Sequence, residues 1–235
     1  MLQGLMVETR RVMKQLLIEH DNRALITRLP ARSTTAIGFA AGFIVLLFAA
    51  LSTPALAAAG DDTLKLVKIA NDGSELPDSA ALGTKAKDWA CTLDTTSGLI
   101  WEVKTTSGLR SQGNSYTWYS SEGRAIGSPS GGSCSAEGRC DTEKYIADVN
   151  SSKLCGASDW RMPKAKELEE HFAIRLASPA VYASYFPNTT STYYWSGTPG
   201  AFYSFSAWAV YISDAQAYYF HRTGSNGIRA VRNAK

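Results

Sequence analysis

The chain has 235 residues and a formal net charge of +3, and its basic excess lies in the first quarter of the sequence. From Ala58 onward there are 18 Lys and Arg against 18 Asp and Glu, so this part has no formal net charge. A nucleic-acid-binding domain carries a basic excess that meets the phosphates. The balanced charge therefore excludes nucleic acid as an expected partner.

Residues 1–59 predict an N-terminal leader with a signal peptide. A charge-free apolar run from Thr34 to Leu51 follows six basic residues and precedes Pro54 and a run of small residues that ends at Gly60. This order is typical of an export signal with an Ala-x-Ala cleavage site. An uncleaved anchor is the alternative, although a spanning helix needs about 20 apolar residues. We expect an exported protein, periplasmic, cell-surface or secreted, that meets the membrane only through an uncleaved leader.

All four cysteines lie in the part that we expect to be exported: Cys91, Cys134, Cys140 and Cys155. An even number of cysteines in an oxidising compartment predicts two disulfides, for which three connectivities exist. Cys134 and Cys140 enclose a short loop, which favours a local bridge and leaves Cys91 to pair with Cys155. A metal site is the alternative, but the chain has no Cys-x-x-Cys pair and its later histidines are distant in sequence. We therefore expect no metal and no cofactor.

The chain after the leader divides into a lead-in and one domain. Residues 60–88 show no sustained hydrophobic period and predict a surface lead-in segment. From Trp89 onward the pattern favours strands, first Trp89 to Leu93 and then Leu99 to Val103. Residues 105–139 are rich in Gly, Ser and Asn and predict a long loop closed by Cys134. Residues 89–235 are thus the predicted domain.

Two helices are predicted in the middle of this domain. Asp141 is a candidate cap for the first, whose apolar residues continue at helical spacing as far as Leu154, with Gly156 as the stop. Pro163 is predicted to open the second helix, because a proline costs no hydrogen bond in a first turn. The second helix has one apolar stripe of four residues: Ala165, Leu168, Phe172 and Leu176. His171 lies beside this stripe and is expected on the helix surface.

The chain after Pro187 predicts strands again. Four segments of strand length are separated by turn residues: Tyr193–Ser196, Ser206–Ile212, Ala217–His221 and Gly227–Arg232. In the second segment large and small residues alternate, as in a strand with one buried face. Short antiparallel strands around two central helices make an α+β domain whose chain ends are expected to meet.

Four blocks of this sequence resemble, in order, the signature blocks of the Lcl C-terminal domain family, named after a bacterial collagen-like adhesin. They are Thr96–Lys104, Leu154–Pro163 with Lys166–Leu168, Tyr185–Thr189 with Tyr194–Thr198, and Ile228–Arg232. The resemblance implies an exported or surface bacterial domain with a C-type lectin-like fold, similar also to the formylglycine-generating enzyme superfamily. The chain has no Gly-x-y tract and no net charge in this part, so the adhesin's affinity for sulfated glycans is not carried over.

The junction of residues 154–170 holds charged residues that suit either a site or a scaffold. Asp159, Arg161 and Glu167 form a possible carboxylate–guanidinium site. We favour a structural role, in which Arg161 binds Asp159 or Glu167 and Trp160 fills the core. Structural roles are also expected for Pro163, Trp101 and Trp195.

The sequence offers little for catalysis. There is no Gly-x-Ser-x-Gly motif, and no cysteine follows Cys155, as the oxidase relatives would require. Asp214 is the one acid after Pro187, which is too few oxygen ligands for a calcium lectin. We therefore expect that the protein is not an enzyme.

The predicted functional surface is the aromatic and serine-rich C-terminal part. Tyrosine gives a large contact area at a small entropic cost, and serine and asparagine adapt their hydrogen bonds. The candidate contacts are Tyr203, Tyr211, Tyr218 and His221. They predict a non-catalytic binding or adhesion domain for a glycan or a surface protein. One alternative is a hydrolase or oxidase around His221 and Asp214, and another is a structural envelope protein.

Overall fold

The computed structural model of the protein describes residues 65–122, 126–200 and 204–235. The predicted leader lies outside these residues, and so does Tyr203. Across the described ranges, no helix combines the length and apolar character that crossing a membrane requires.

The described residues form two small sheets, two short strand pairs and helices between them. The strands are β1 (Leu66–Ala70), β2 (Glu75–Leu76), β3 (Trp89–Asp94), β4 (Leu99–Glu102), β5 (Tyr116–Thr117), β6 (Tyr119–Ser120), β7 (Ile126–Gly127), β8 (Tyr193–Pro199), β9 (Ser206–Tyr211), β10 (Gln216–His221), β11 (Ser225–Asn226) and β12 (Val231–Asn233). The helices are α1 (Thr142–Ser151), α2 (Ala165–Ala177) and α3 (Pro179–Tyr185). This arrangement confirms the predicted α+β class.

The larger sheet has five antiparallel strands in the order β12-β4-β3-β1-β2. The last strand of the chain pairs with β4, so the two ends of the described chain meet in one sheet, as the sequence predicts. Cys91 in this sheet is bonded to Cys155, and a second disulfide joins Cys134 to Cys140. Both predicted pairings are therefore present. Two disulfides indicate a protein that folds in an oxidising environment.

The segment predicted as a surface lead-in is instead part of this sheet. β1 lies between β3 and β2, and its side chains are mostly buried. The lysine in its centre, Lys68, lies over the Trp89 ring at 4.1 Å, and its ammonium donates to the carbonyl oxygens of Asp78 and Ala80. The aliphatic stem of a lysine can cover an apolar surface while its ammonium finds acceptors. Because Lys68 is polar but buried, the sequence of β1 does not show the hydrophobic pattern by which a strand is recognised.

Helix α1 begins where the sequence predicts and ends earlier. The Asp141 carboxylate accepts a hydrogen bond from the Lys144 backbone N–H at 2.9 Å, which is an N-cap. The helix stops at Ser151 rather than at Gly156, because Lys153 and Cys155 both have φ of 50°, in the left-handed region. A single 3-10 turn, Leu154–Gly156, follows.

Helix α2 differs from its prediction at the start and on its buried face. It begins at Ala165 with Lys164 as its N-cap, so Pro163 precedes the helix and does not open it. Leu168 and Phe172 are buried, but Leu176 is 46% exposed. Leu176 follows Leu168 by eight residues and so lies about 80° round the helix. The buried face of α2 therefore includes His171 and not Leu176.

The smaller sheet has the order β10-β9-β8, all antiparallel, and is buried on both faces of β9. Ala207 and Ala209 belong to one core cluster, and Val210 and Ile212 to the other, which includes residues of α2. The prediction of a half-buried strand is wrong here, because each face of β9 meets its own layer of side chains.

Of the predicted last strand, Gly227–Arg232, only the end is part of a strand, and a separate short strand precedes it. Ser225–Asn226 pairs with β5, and Val231–Asn233 pairs with β4. Between them the chain passes Tyr194 so closely that a Cβ on Gly227 would lie 3.1 Å from the Tyr194 ring. The chain therefore changes partners at a position that only a glycine fits without adjustment.

Candidate binding site

The junction of residues 154–170 is paired within the chain. Arg161 donates from Nη1 and Nη2 to the two carboxylate oxygens of Glu167 at 2.7 and 2.8 Å. Asp159 accepts instead from Arg232, at 2.6 Å. The Trp160 indole N–H donates to the Leu154 carbonyl oxygen at 2.9 Å, and its ring is buried. These groups form a scaffold around the start of α2 rather than an open site.

Two further tryptophans with expected structural roles are buried. Trp195 donates through Nε1 to the Tyr116 carbonyl oxygen at 2.7 Å. Trp101 stacks on His171 with ring centroids 4.1 Å apart. His171, expected on the helix surface, is thus a core residue, and its Nε2 lies 3.1 Å from the Tyr182 hydroxyl. Burial, reinforced by the positive charge of Arg229, holds the pKa of His171 well below its usual value, so the ring is neutral.

Three tyrosines lie together on one face of the smaller sheet, and we call Tyr193, Tyr211 and Tyr218 the tyrosine face. Tyr193 lies opposite Tyr211, and Gln216 also pairs with Tyr211, so Tyr218 points to the same side of the sheet. The Tyr193 ring stacks on that of Tyr211 at 4.6 Å and meets that of Tyr218 edge-on at 5.8 Å. Tyr218 is 41% exposed. The sequence predicted two of these three residues.

Polar groups surround the tyrosine face near the β9–β10 turn. The Tyr218 hydroxyl donates to Asp214 Oδ2 at 2.7 Å, which raises the pKa of Tyr218. Ser191 and Ser213 lie 2.9 Å apart through their hydroxyl oxygens. Hydrogen bonds from Ser213 and then Ser191 lower the pKa of Tyr211. The rings are thus bordered by hydroxyls and one carboxylate, which can donate to and accept from a polar ligand.

His221 does not belong to this face. Phe220 lies two residues after Tyr218 in β10 and so points to the same side as the tyrosine face. His221 is the next residue and points to the other side of the sheet, where it stacks on Phe205. Its Nδ1 lies 2.7 Å from Thr223 Oγ1. His221 pairs with Ser206 at one end of the β9–β10 hairpin, while Asp214 lies in the turn at the other end. The structure therefore does not bring together the histidine and carboxylate that a hydrolase around His221 requires.

A second candidate site is a cleft with a volume of about 580 Å³, which we call the Trp118–Arg222 cleft. Its walls come from β6 and β7, the start of α1, the junction and the end of β8. Gly197 permits this convergence, because a Cβ there would lie 3.0 Å from that of Met162. Two other cavities, of about 340 and 380 Å³, are smaller.

Arg222 is the residue of this cleft with the most unusual surroundings. It is 2% exposed, and its guanidinium carbon lies 4.1 Å from the centre of the Trp118 ring. Its Nε donates to the Ser206 carbonyl oxygen at 2.8 Å, but its Nη1 has no hydrogen-bond partner among the described residues. Burial lowers the pKa of Arg222, since water no longer solvates the cation.

The sequence did not indicate this cleft. Trp118 and Arg222 are separated by more than a hundred residues, and neither belongs to a recognisable motif. The signal available was the aromatic island Tyr116–Tyr119 inside a polar segment, because a long loop that carries large aromatic residues must bury them somewhere.

The described part of the chain shows no group of three or more His, Cys, Asp or Glu residues arranged to hold a metal ion. What the two surfaces offer is binding chemistry: stacked phenol rings with a polar border, and an apolar cleft with a buried cation. Both lie on a disulfide-bonded α+β domain.

Comparison with known protein families assigns this disulfide-bonded α+β domain to a particular family. The family model described as the Lcl C-terminal domain matches residues 90–232. The chain belongs to the Lcl C-terminal domain family. Comparison with curated proteins finds no significant match.

Proposed function

We propose that the protein is an exported, non-catalytic binding domain that recognises a glycan through the tyrosine face. The observation that carries this proposal is the placement of Tyr193, Tyr211 and Tyr218 on one sheet face beside Asp214 and two serines. Aromatic rings offer flat apolar surfaces, and their polar ends make hydrogen bonds when one side is wet. A sugar ring presents the same two properties, an apolar face and a border of hydroxyls.

A neutral glycan fits this surface better than a charged one. The border contains one carboxylate, Asp214, and it is already shared with the Tyr218 hydroxyl. Surface proteins are the other ligand class that a tyrosine-rich surface suits. We favour the glycan because three tyrosines with a hydroxyl border match stacking and hydrogen bonding to a sugar at the same time.

The finer fold assignment belongs to the same proposal. We assign a C-type lectin-like fold, supported by the presence of the first and last described strands in one sheet, by the helices between the two sheets and by the disulfide that links β3 to the junction. Export is supported by the two disulfides and by the signal-peptide pattern of the leader. An exported domain of this type would act at a bacterial surface, in adhesion or in the capture of a ligand.

The test is binding of the chain, folded with its disulfides intact, to a glycan array and a protein array. Tyr218→Ser and Tyr193→Ser should each weaken a glycan hit by about fivefold, because one lost stacking contact is worth about 1 kcal/mol. Tyr219→Ser is the matched control. Tyr219 is 43% exposed in the same strand but lies on the opposite face, beside Trp208.

Two outcomes would contradict the proposal. One is an array without any glycan hit, with or without protein hits. The other is an equal loss for the Tyr219→Ser control, since this would show that the exposed edge of β10 rather than the tyrosine face makes the contact.

A further inference from the structure

The Trp118–Arg222 cleft contains a buried cation that no carboxylate of the described residues pairs with. Three other arginines, Arg139, Arg161 and Arg232, each contact a carboxylate. No carboxylate lies within 4.0 Å of Arg222 in the described ranges, although Arg222 is 2% exposed. An unpaired charge inside a protein is costly, whereas a paired one is tolerated. The fold therefore maintains at this position a charge that an external anion would neutralise.

The remaining charges of the cleft limit the size of that anion. Arg161 also lines the cleft, but its guanidinium is occupied by Glu167 through two hydrogen bonds. Two further acids, Glu122 and Glu143, stand in the wall. Among the described residues of the cleft, a phosphate or a cluster of sulfates would meet one available cation and two repelling carboxylates. A single negative charge, such as one carboxylate, fits this balance.

The apolar part of the lining indicates what is attached to the carboxylate. Ile126, Ile146 and Met162 line the cleft together with the Trp118 ring. The Trp118 indole N–H is already donated to the Ser196 carbonyl oxygen at 2.9 Å, so this ring offers only its apolar surface. A sugar acid would leave its hydroxyls against these side chains, whereas an aliphatic side chain would bury its surface there.

We infer that the Trp118–Arg222 cleft binds the C-terminal end of a peptide, with the terminal carboxylate on Arg222 and an apolar last side chain between Trp118, Met162 and Ile146. Planar guanidinium groups bind carboxylates with good geometry. A peptide terminus combines the two required features within one residue. The two acids in the wall favour a peptide with a basic residue before the end. This site is separate from the tyrosine face.

The experiment compares two forms of one probe on the full-length protein with intact disulfides. The probe is the fluorescein-labelled peptide Lys-Gly-Leu, prepared as the free acid and as the C-terminal amide, with binding followed by fluorescence anisotropy. The free acid should bind at least about tenfold more tightly, because a hydrogen bond to a charged group is worth that much or more. The peptide Asp-Gly-Gly, in which Asp replaces the basic residue and Gly the apolar last residue, should bind more weakly than Lys-Gly-Leu.

Variants connect this difference to the cleft. Arg222→Gln should remove the preference for the free acid, while Arg139→Gln, at a surface arginine paired with Asp148, should keep it. Arg222 also stacks on Trp118, so folding of the variant is checked by near-UV circular dichroism. If Arg222→Gln does not fold, Ile146→Glu is used, because a new carboxylate in the wall should repel the free acid more than the amide.

The result is decisive in either direction. Equal binding of acid and amide, no binding of either, or a preference that survives both variants would overturn the inference. Displacement of the probe by glucuronate or sulfate at lower concentration than by unlabelled Lys-Gly-Leu would also overturn it, in favour of an anionic sugar. Tyr218→Ser should leave peptide binding unchanged, so failure here and failure of the proposed glycan function are distinguishable.

Discussion

The junction of residues 154–170 and the Trp118–Arg222 cleft are neighbours that share Arg161, but their polar groups are used differently. In the junction, Arg161 is paired with Glu167 and Asp159 with Arg232. In the cleft, the buried Arg222 has no such partner among the described residues. Groups that are paired within the chain stabilise the fold, whereas a buried donor without a partner in the wall of a cleft needs an explanation, which the inferred ligand supplies. Substitutions in the junction should therefore change stability, and substitutions in the cleft should change binding.

The largest expected effect on stability comes from the disulfide that anchors the junction. Cys91 and Cys155 are separated by 64 residues, and Cys134 and Cys140 by 6. A disulfide restricts the unfolded chain more when it closes a longer loop. Replacing the first pair by serine should lower the free energy of unfolding by about 4 kcal/mol, and replacing the second by about 2 kcal/mol. Urea denaturation measures both free energies of unfolding. Equal losses would show that the disulfide anchoring the junction does not restrict the unfolded chain more than the Cys134–Cys140 bond does.

A smaller loss is expected for Glu167→Gln. The Glu167 carboxylate accepts two hydrogen bonds from Arg161 and one from the Lys164 backbone N–H at 2.7 Å, at the start of α2. The pair is partly exposed, so we expect a loss of about 1–2 kcal/mol in the free energy of unfolding. Glu170→Gln, at an exposed residue 3.6 Å from Lys166, is the matched control and should change it by less than about 0.5 kcal/mol. Binding to the tyrosine face should be unchanged.

The sequence predicted the parts of the fold that depend on local chemistry. The Asp141 cap and both disulfides follow from residues that are close in sequence or limited in number. For Arg161 the sequence left Asp159 and Glu167 as alternative partners, and the structure pairs it with Glu167. The α3 helix was missed, although Pro179 stands at its first turn. Pro163, by contrast, lies before α2 and not in its first turn. A proline alone therefore does not show whether it stands inside the first turn of a helix or just before it.

The sequence could not predict features that depend on distant contacts. The burial of His171 depends on Trp101, which reaches α2 only in the folded chain. The cleft depends on Trp118 and Arg222 meeting across the domain. For the tyrosine face, the strand pattern indicated Tyr211 and Tyr218, and it could have excluded His221, since residues 218 and 221 of one strand point to opposite sides. Tyr193 required the register between β8 and β9.

The smallest expected effect is a loss of stability in acid that originates in the junction. The hydrogen bond from Arg232 lowers the pKa of Asp159 below its ordinary value of 3.8. Burial alone would raise the pKa of Glu167, but the hydrogen bonds from Arg161 and from the Lys164 N–H outweigh it and lower the pKa below 4.5. A carboxyl with a lowered folded-state pKa binds fewer protons than in the unfolded chain, so its contribution is complete above its ordinary pKa.

Stability should be highest near neutral pH. It should first fall below about pH 6.5, because the unfolded chain protonates the His171 ring that the fold keeps neutral, and the junction should add to the fall below about pH 4.5, through the lowered pKa values of these two groups. The measurement is the thermal midpoint between pH 7 and pH 2. In Asp159→Asn and Glu167→Gln the midpoint should start lower at pH 7 and decline less steeply in acid, because each variant removes one titrating carboxyl. If the thermal midpoint of the variants declines as steeply in acid as that of the unchanged protein, the acid-sensitive groups lie outside the junction. The paired carboxylates of the junction would then not stabilise the fold in the way that sets the junction apart from the cleft.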